Sequence, residues 1–198
     1  GDRIEAGTLL LAGAVTGGCV RVRGINPNHL DCVLEVMHQA GAETEASGTA
    51  VLGRIGTTLR PARFATATYP GVPTDMQPQL TTMLCCAPGR STVGEGVYPD
   101  RFTHVPELQR MGAKIVVDGA CAHIDGGHPL EGADVTAADL RAGASLVLAG
   151  LAASGTTAIS GVDQINRGYE RLEEKLRSIG ADVERRIEGA ARVGERKS

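Results

Sequence analysis

Asp75 and Arg101 are the first residues in this chain whose types and spacing could do chemistry. Asp75 stands in Pro73-Thr74-Asp75 at the head of an apolar run, and Arg101 follows across a helix, a strand and a loop. This spacing places a carboxylate at a helix N-terminus and a guanidinium on the loop that leaves the next strand. Taken singly, Asp75 reads as a helix cap, because Asp accepts hydrogen bonds from the free N–H groups of a first turn. The wider pattern points further. Asp2, Asp75 and Asp139 each open a helix, 14 to 16 residues before a closing glycine at Gly18, Gly89 or Gly155. Arg101 and Arg167 take matching places after the strands that follow, and Arg141 lies in the first turn of the third helix. Helix N-termini gathered on one face attract anions through unpaired N–H groups and the helix dipole. Arginines there would grip phosphate or carboxylate. The alternative is a set of caps and salt bridges with no ligand.

The elements that must position these groups come as three copies of one plan. The strings L-L-L-A-G-A-V-T-G-G-C-V, L-T-T-M-L-C-C-A-P-G-R-S-T-V and L-V-L-A-G-L-A-A-S-G-T-T-A-I each lead to a later Gly-Ala. The later glycines, Gly41, Gly112 and Gly180, are 71 and 68 residues apart. Each copy reads as helix, glycine stop, strand, loop, second helix, glycine stop, strand. The second helices carry helical periodicity, with Leu30, Val33, Leu34 and Met37 in the first copy and Tyr169, Leu172, Leu176 and Ile179 in the third. Each ends at a glycine suited to the left-handed cap. The first helices differ: Ala144 to Ala153 is apolar all round, as a helix buried on every side must be. The strands Cys19–Arg23 and Thr156–Ser160 alternate or carry Thr and Ser, as half-exposed strands do.

The expected fold is therefore α/β (α+β), an inside-out, barrel-like domain of three βαβ-type repeats with helices buried and sheets facing solvent. One domain covers 1–188, in repeats 1–68, 69–135 and 136–188, and 189–198 form a polar tail.

Composition narrows the function. The chain has 198 residues, 42% apolar and 22% charged, with a net charge of −3, which makes no case for nucleic acid or an anionic membrane as partner. Two Phe, three Tyr and no Trp leave little for stacking on bases or sugars. No run reaches the roughly 18 apolar residues that a membrane span needs. The N-terminus, Gly1-Asp2-Arg3, shows no signal peptide and no initiating Met, as expected of a fragment or processed chain in the cytoplasm. Cys19, Cys32, Cys85, Cys86 and Cys121 match no metal spacing and read as reduced thiols. His29 and His104 sit at loop-to-helix junctions where they could cap or act. His123 and His128, beside Asp125, lack an established ligand pattern, and Gly94-Glu95-Gly96 lacks the strand–turn–helix setting of a phosphate loop.

Four strings then carry a resemblance: P-T-D-M-Q-P-Q at 73–79, D-R-F-T-H-V-P-E-L at 100–108, A-D-L-R-A at 138–142 and N-R-G-Y-E-R-L-E-E-K-L-R at 166–177. In order and spacing they resemble the C-terminal half of the enolpyruvyl transferase family, in its UDP-N-acetylglucosamine branch, from Asp2 to about Arg185. The resemblance implies transfer of enolpyruvyl from phosphoenolpyruvate to the 3-hydroxyl of UDP-N-acetylglucosamine with release of phosphate, and no cofactor. By position, Asp75 matches the carboxylate that handles the 3-hydroxyl proton, and Val97 the residue whose backbone meets the nucleotide sugar. Arg101, Arg141 and Arg167 match arginines around phosphoenolpyruvate. Asp139 matches an acidic residue at the same helix N-terminus, and Thr74 and Leu140 join the substrate-binding set. Departures occur at Tyr98-Pro99-Asp100, where the family usually has Phe-Glu-Asn, and at Asp163-Gln164-Ile165-Asn166, where it has Tyr-His-(Leu or Ile)-Asp. Ala138 replaces Thr and Gly143 replaces Ser.

In the family the other domain supplies a loop cysteine as proton donor, a Lys-Asn pair and further arginines. Also, a short N-terminal segment completes the half seen here, so an unpaired strand edge is expected. The chain alone is thus expected to be a catalytically incomplete half whose partners are the two substrates and an N-terminal catalytic domain, in cis or in trans. Two other readings stand beside it: half of the sister enzyme acting on shikimate 3-phosphate, and a non-catalytic binding or interaction module.

Overall fold

The computed structural model describes residues 1–56 and 58–186; the expected polar tail and the last two residues of the expected domain lie outside them. The chain opens with α1 (Arg3–Val15), β1 (Cys19–Arg23), a 3-10 turn (Pro27–His29), α2 (Asp31–Gln39), β2 (Ala42–Ser47) and β3 (Ala50–Ile55). A short strand, β4 (Arg63–Ala65), leads to a 3-10 turn (Thr74–Met76), α3 (Gln77–Cys85), β5 (Gly89–Gly94) and α4 (Val105–Arg110). Then come β6 (Lys114–Asp118), β7 (Cys121–Gly126), β8 (Asp134–Thr136), α5 (Leu140–Ala152), β9 (Ala158–Ser160), α6 (Asp163–Asn166) and α7 (Leu172–Ser178).

The three helices that open the units, α1, α3 and α5, pack on one another. All nine residues of α3 are buried, polar ones included. The strands keep one wet face: β1 buries Val20 between exposed Cys19 and Arg21, and β7 buries Ala122 and Ile124 on either side of exposed His123. Three separate sheets result, ordered β1-β3-β2, β4-β5-β7-β6 and β8-β9, so no closed barrel forms among the described residues. Two strands stitch the units together. β4 leaves the first unit to lie parallel to β5, and β8 leaves the second to lie parallel to β9. Among the described residues β1 pairs only with β3 and β9 only with β8, so each keeps an open edge.

The later glycines end their helices as their spacing predicts. Gly41, Gly112 and Gly180 have φ of +89°, +97° and +100°, a region where a Cβ is penalised. Their N–H groups donate to His38, Gln109 and Arg177 carbonyls at 2.9, 3.0 and 3.0 Å, closing the final turns.

Several expectations are corrected. Thr74 and Asp75 do not begin the helix; they lie in the 3-10 turn before it, and α3 starts at Gln77 with Pro78 in its first turn, where a missing N–H costs nothing. Gly18 closes the first helix as expected, donating to the Gly13 carbonyl at 2.8 Å, with the left-handed residue one position earlier at Gly17 (φ +68°). Strand β9 is shorter than 156–160. The helix expected through Tyr169 to Ile179 is broken at Arg171 (φ +47°): Tyr169 lies before α7, and Ile179, counted as core, is 49% exposed.

Candidate functional site

The site forms where three loops meet the heads of α3 and α5. Pro73 holds an extended backbone (φ −65°, ψ 135°), and Met76 donates to its carbonyl while its own side chain is fully buried. The turn between them is thereby pinned, and the Asp75 side chain projects outward, making no capping bond to the helix. Two guanidinium groups take it instead. Arg101 donates through Nη1 to Oδ1, and Arg141 donates through Nη2 to Oδ2 at 3.0 Å. Each carboxylate oxygen therefore has its own arginine, one from the loop before α4 and one from the first turn of α5.

Asp139 builds the other side. Its backbone is extended (φ −150°, ψ 176°), which brings Oδ1 over the N–H groups of Arg141 and Ala142 at 2.8 and 2.9 Å. Its Oδ2 accepts from the Thr103 hydroxyl at 2.7 Å, which ties the head of α5 to the segment that carries Arg101. Asp139 is thus both cap and clasp.

Electrostatics follow from these contacts. Burial pushes the Asp75 carboxyl up, but the Arg101 hydrogen bond and the charges of Arg141 and Arg101 outweigh it and hold Asp75 below the ordinary carboxylate range. For Asp139 burial again pushes up, and the Ala142 and Arg141 N–H groups with Thr103 carry it below. His104, fully buried and stacked on Phe102 with neither ring nitrogen paired to protein, is driven down to about 3 by burial and stays neutral. Burial likewise drives the Cys85 thiol far up, as a packing residue rather than a nucleophile.

The structure brings together Asp75, Arg101, Arg141 and, through Thr103, Asp139. It keeps others apart. Asp2 caps α1, accepting from Ile4 N at 2.6 Å, and makes no bond to this cluster. Arg167 lies exposed at the end of α6 and donates to Gln164 Oε1 at 3.2 Å, with no bond to Asp75 among the described residues. Thr74 keeps its hydroxyl buried and unpaired, Leu140 packs where a Cβ on Gly168 would stand, and Val97 is 43% exposed. Among the described residues His128 reaches only Asp125, at 3.4 Å, on the sheet end.

Sequence reasoning passed over the supports. Glu95, buried, accepts at Oε1 from the Thr66 hydroxyl and from the N–H groups of Val97 and Tyr98, both at 3.0 Å. The Thr66 hydroxyl in turn accepts from Gly96 N at 2.9 Å. That carboxylate shapes the loop carrying Val97, and the Tyr98 ring covers Arg101 at 5.3 Å. A Glu flanked by glycines was the available signal.

Comparison with known proteins now adds identity to this geometry. Residues 1–176 match the family described as EPSP synthase (3-phosphoshikimate 1-carboxyvinyltransferase). The chain belongs to that family. Within it, the chain is 46% identical over 184 residues to the UDP-N-acetylglucosamine 1-carboxyvinyltransferase of Myxococcus xanthus, covering 93% of this chain and 44% of that protein. To the same enzyme of an Anaeromyxobacter strain it is 50% identical over 186 residues, again covering 93% and 44%. The chain therefore spans less than half the length of these relatives. Among solved structures, the enolpyruvyl transferase NikO of Streptomyces tendae matches with a TM-score of 0.83 and 33% identity, over 91% of this chain and 43% of that one. EPSP synthase of Acinetobacter baumannii matches in fold, with a TM-score of 0.70 at 20% identity, over 94% and 44%. No helix among the described residues is long and apolar enough to cross a membrane.

Proposed function

We propose that this family member is one catalytic half of a cytoplasmic UDP-N-acetylglucosamine 1-carboxyvinyltransferase, working with an N-terminal catalytic domain in peptidoglycan precursor synthesis. The observation that carries the reading is the Asp75 carboxylate held between Arg101 and Arg141. Asp75 is the base that takes the proton of the sugar 3-hydroxyl as oxygen attacks phosphoenolpyruvate. Arg101 and Arg141 hold the phosphate and carboxylate of phosphoenolpyruvate and stabilise charge that develops during transfer. Arg167, on the exposed rim, is the further arginine assigned to that anion. Val97 offers backbone to the nucleotide sugar, with Thr74, Asp139 and Leu140 lining the same approach. The anion competes with Asp75 for the two guanidinium groups, so its arrival makes Asp75 a better proton acceptor than it is in the free site. The half is read as a single inside-out domain of three repeats, which the mutual packing of α1, α3 and α5 and the one-sided burial of the strands support.

Identity favours the UDP-sugar over shikimate 3-phosphate as acceptor: it stands at 46% to 50% against the relatives named for the sugar and at 20% against the EPSP synthase. The test is phosphate release from phosphoenolpyruvate and UDP-N-acetylglucosamine, by the chain alone and with a separately expressed N-terminal half. Release only with both halves is expected. Release by the chain alone would refute the two-half reading, and none in either case would favour a binding module.

A further inference from the structure

Arg141 reaches Asp75 with one nitrogen, while its buried Nη1 has no hydrogen-bond partner among the described residues. What aims this guanidinium is on its other side, where its Cζ lies 5.7 Å from the centre of the Tyr169 ring. That ring is itself locked. The Thr8 hydroxyl has one hydrogen, which it gives to the Ile4 carbonyl at 2.8 Å, so at 2.9 Å it must accept from the Tyr169 O–H. Gln79 Nε2 then donates to the Tyr169 oxygen at 3.1 Å and to Thr8 at 3.3 Å. Thr8, Gln79 and Tyr169 are all buried to within 1% of completely. They come from α1, α3 and the segment before α7, one from each unit of the chain. The Thr8 and Tyr169 hydroxyls are satisfied within this cluster, while Gln79 Oε1 has no partner among the described residues, and a hydroxyl satisfied in the interior is fixed in orientation.

We propose that Tyr169 is a positioning residue for the site: Thr8 and Gln79 lock its hydroxyl, and its ring keeps the Arg141 guanidinium turned onto Asp75. The packing of all three units is thereby coupled to the ionisation and direction of one carboxylate at the surface. The inference rests on the proposed function for what Asp75 does to substrate, but its test needs no substrate.

That test follows the Asp75 side-chain carboxyl carbon by NMR through an acid titration of this chain. The charged groups facing it are Arg101 and Arg141. Tyr169→Leu should raise the Asp75 midpoint toward the ordinary carboxylate value, and Tyr169→Phe, which keeps the ring but frees it, should raise it less. Leu108→Ala, a buried truncation on α4, should leave it unmoved. An unchanged midpoint in Tyr169→Leu, or an equal rise in Leu108→Ala, overturns the positioning role. Should Tyr169→Leu fail to fold, Tyr169→Phe decides alone, a rise supporting the proposal and none overturning it. The titration can fail while phosphate release succeeds, or the reverse, so the two readings fall separately.

Discussion

Asp75 and Arg141, 66 residues apart in sequence, meet across the head of the helix bundle with 3.0 Å between Oδ2 and Nη2. The pair joins the second unit to the third, and Arg101 closes it from the far side. Because the arginines hold Asp75 below its ordinary value of 3.8, the carboxylate stabilises the fold fully above that value. The contribution fades as pH falls through the lowered folded value. Asp75→Asn should therefore lower the urea midpoint at pH 7 and pH 5 alike, and the gap to the native chain should close in stronger acid. A gap that persists undiminished at pH 2 would contradict the clamp.

His104 gives a second pH dependence, in a different window. Burial lowers it from 6.5 to about 3, so the unfolded chain binds a proton that the folded chain refuses. Stability is full above 6.5 and drains away as pH falls toward 3. Between pH 7 and pH 5 the loss should be about 2 kcal/mol. His104→Phe, which keeps the stack on Phe102, should abolish this part of the acid sensitivity. Equal pH slopes for the two proteins in chemical denaturation would show that His104 is not the buried neutral group described.

Glu95 organises the loop that carries Val97 and Tyr98 by accepting from both N–H groups. Glu95→Ala strands three donors, the Val97 and Tyr98 N–H groups and the buried Thr66 hydroxyl, and should cost roughly 1–3 kcal/mol. Amide hydrogen exchange at Val97 and Tyr98 should speed up, while exchange in β7 stays slow. Glu95→Gln retains an acceptor oxygen and should exchange more slowly than Glu95→Ala.

Gly143 sits in the interior of α5, where Ala would ordinarily gain about 1 kcal/mol of helix propensity. A Cβ there would stand 2.5 Å from Ile165 Cγ1 and 3.1 Å from Ala137 Cβ. Overpacking of this sort costs about 1–3 kcal/mol, so Gly143→Ala should destabilise the chain. Ile165→Ala should relieve it, and a double-mutant cycle should show favourable coupling. Simple additivity would mean that Ile165 does not press on this glycine.

Much of the frame was legible in the residues themselves. The three Gly-Ala stops, the all-apolar α5 and the alternation along β1 are local patterns, and local patterns fix helix ends, burial and strand faces through spacing alone. Asp2, Asp75 and Asp139 show where that power stops. All three hold the same place in the repeat, yet Asp2 and Asp139 cap their helices while Asp75 turns away to Arg101 and Arg141. The cause is backbone direction. Asp2 and Asp139 are extended, with ψ of 122° and 176°, and lean over the first turn; Asp75 lies inside a 3-10 turn that faces it outward.

Arg167 and Tyr169 divide in the same way. The sequence placed Arg167 at the site and Tyr169 on the apolar stripe of a helix, but the short α6 leaves Arg167 exposed and Tyr169 turns inward to bond Thr8 and Gln79. By itself the sequence determined most of the helices and strands and the family, because those depend on residue order along the chain. Only the tertiary structure decided which carboxylate meets which arginine. That choice depends on side chains from two units converging, Asp75 and Arg101 from the second and Arg141 from the third, and no spacing within one unit encodes the second arginine.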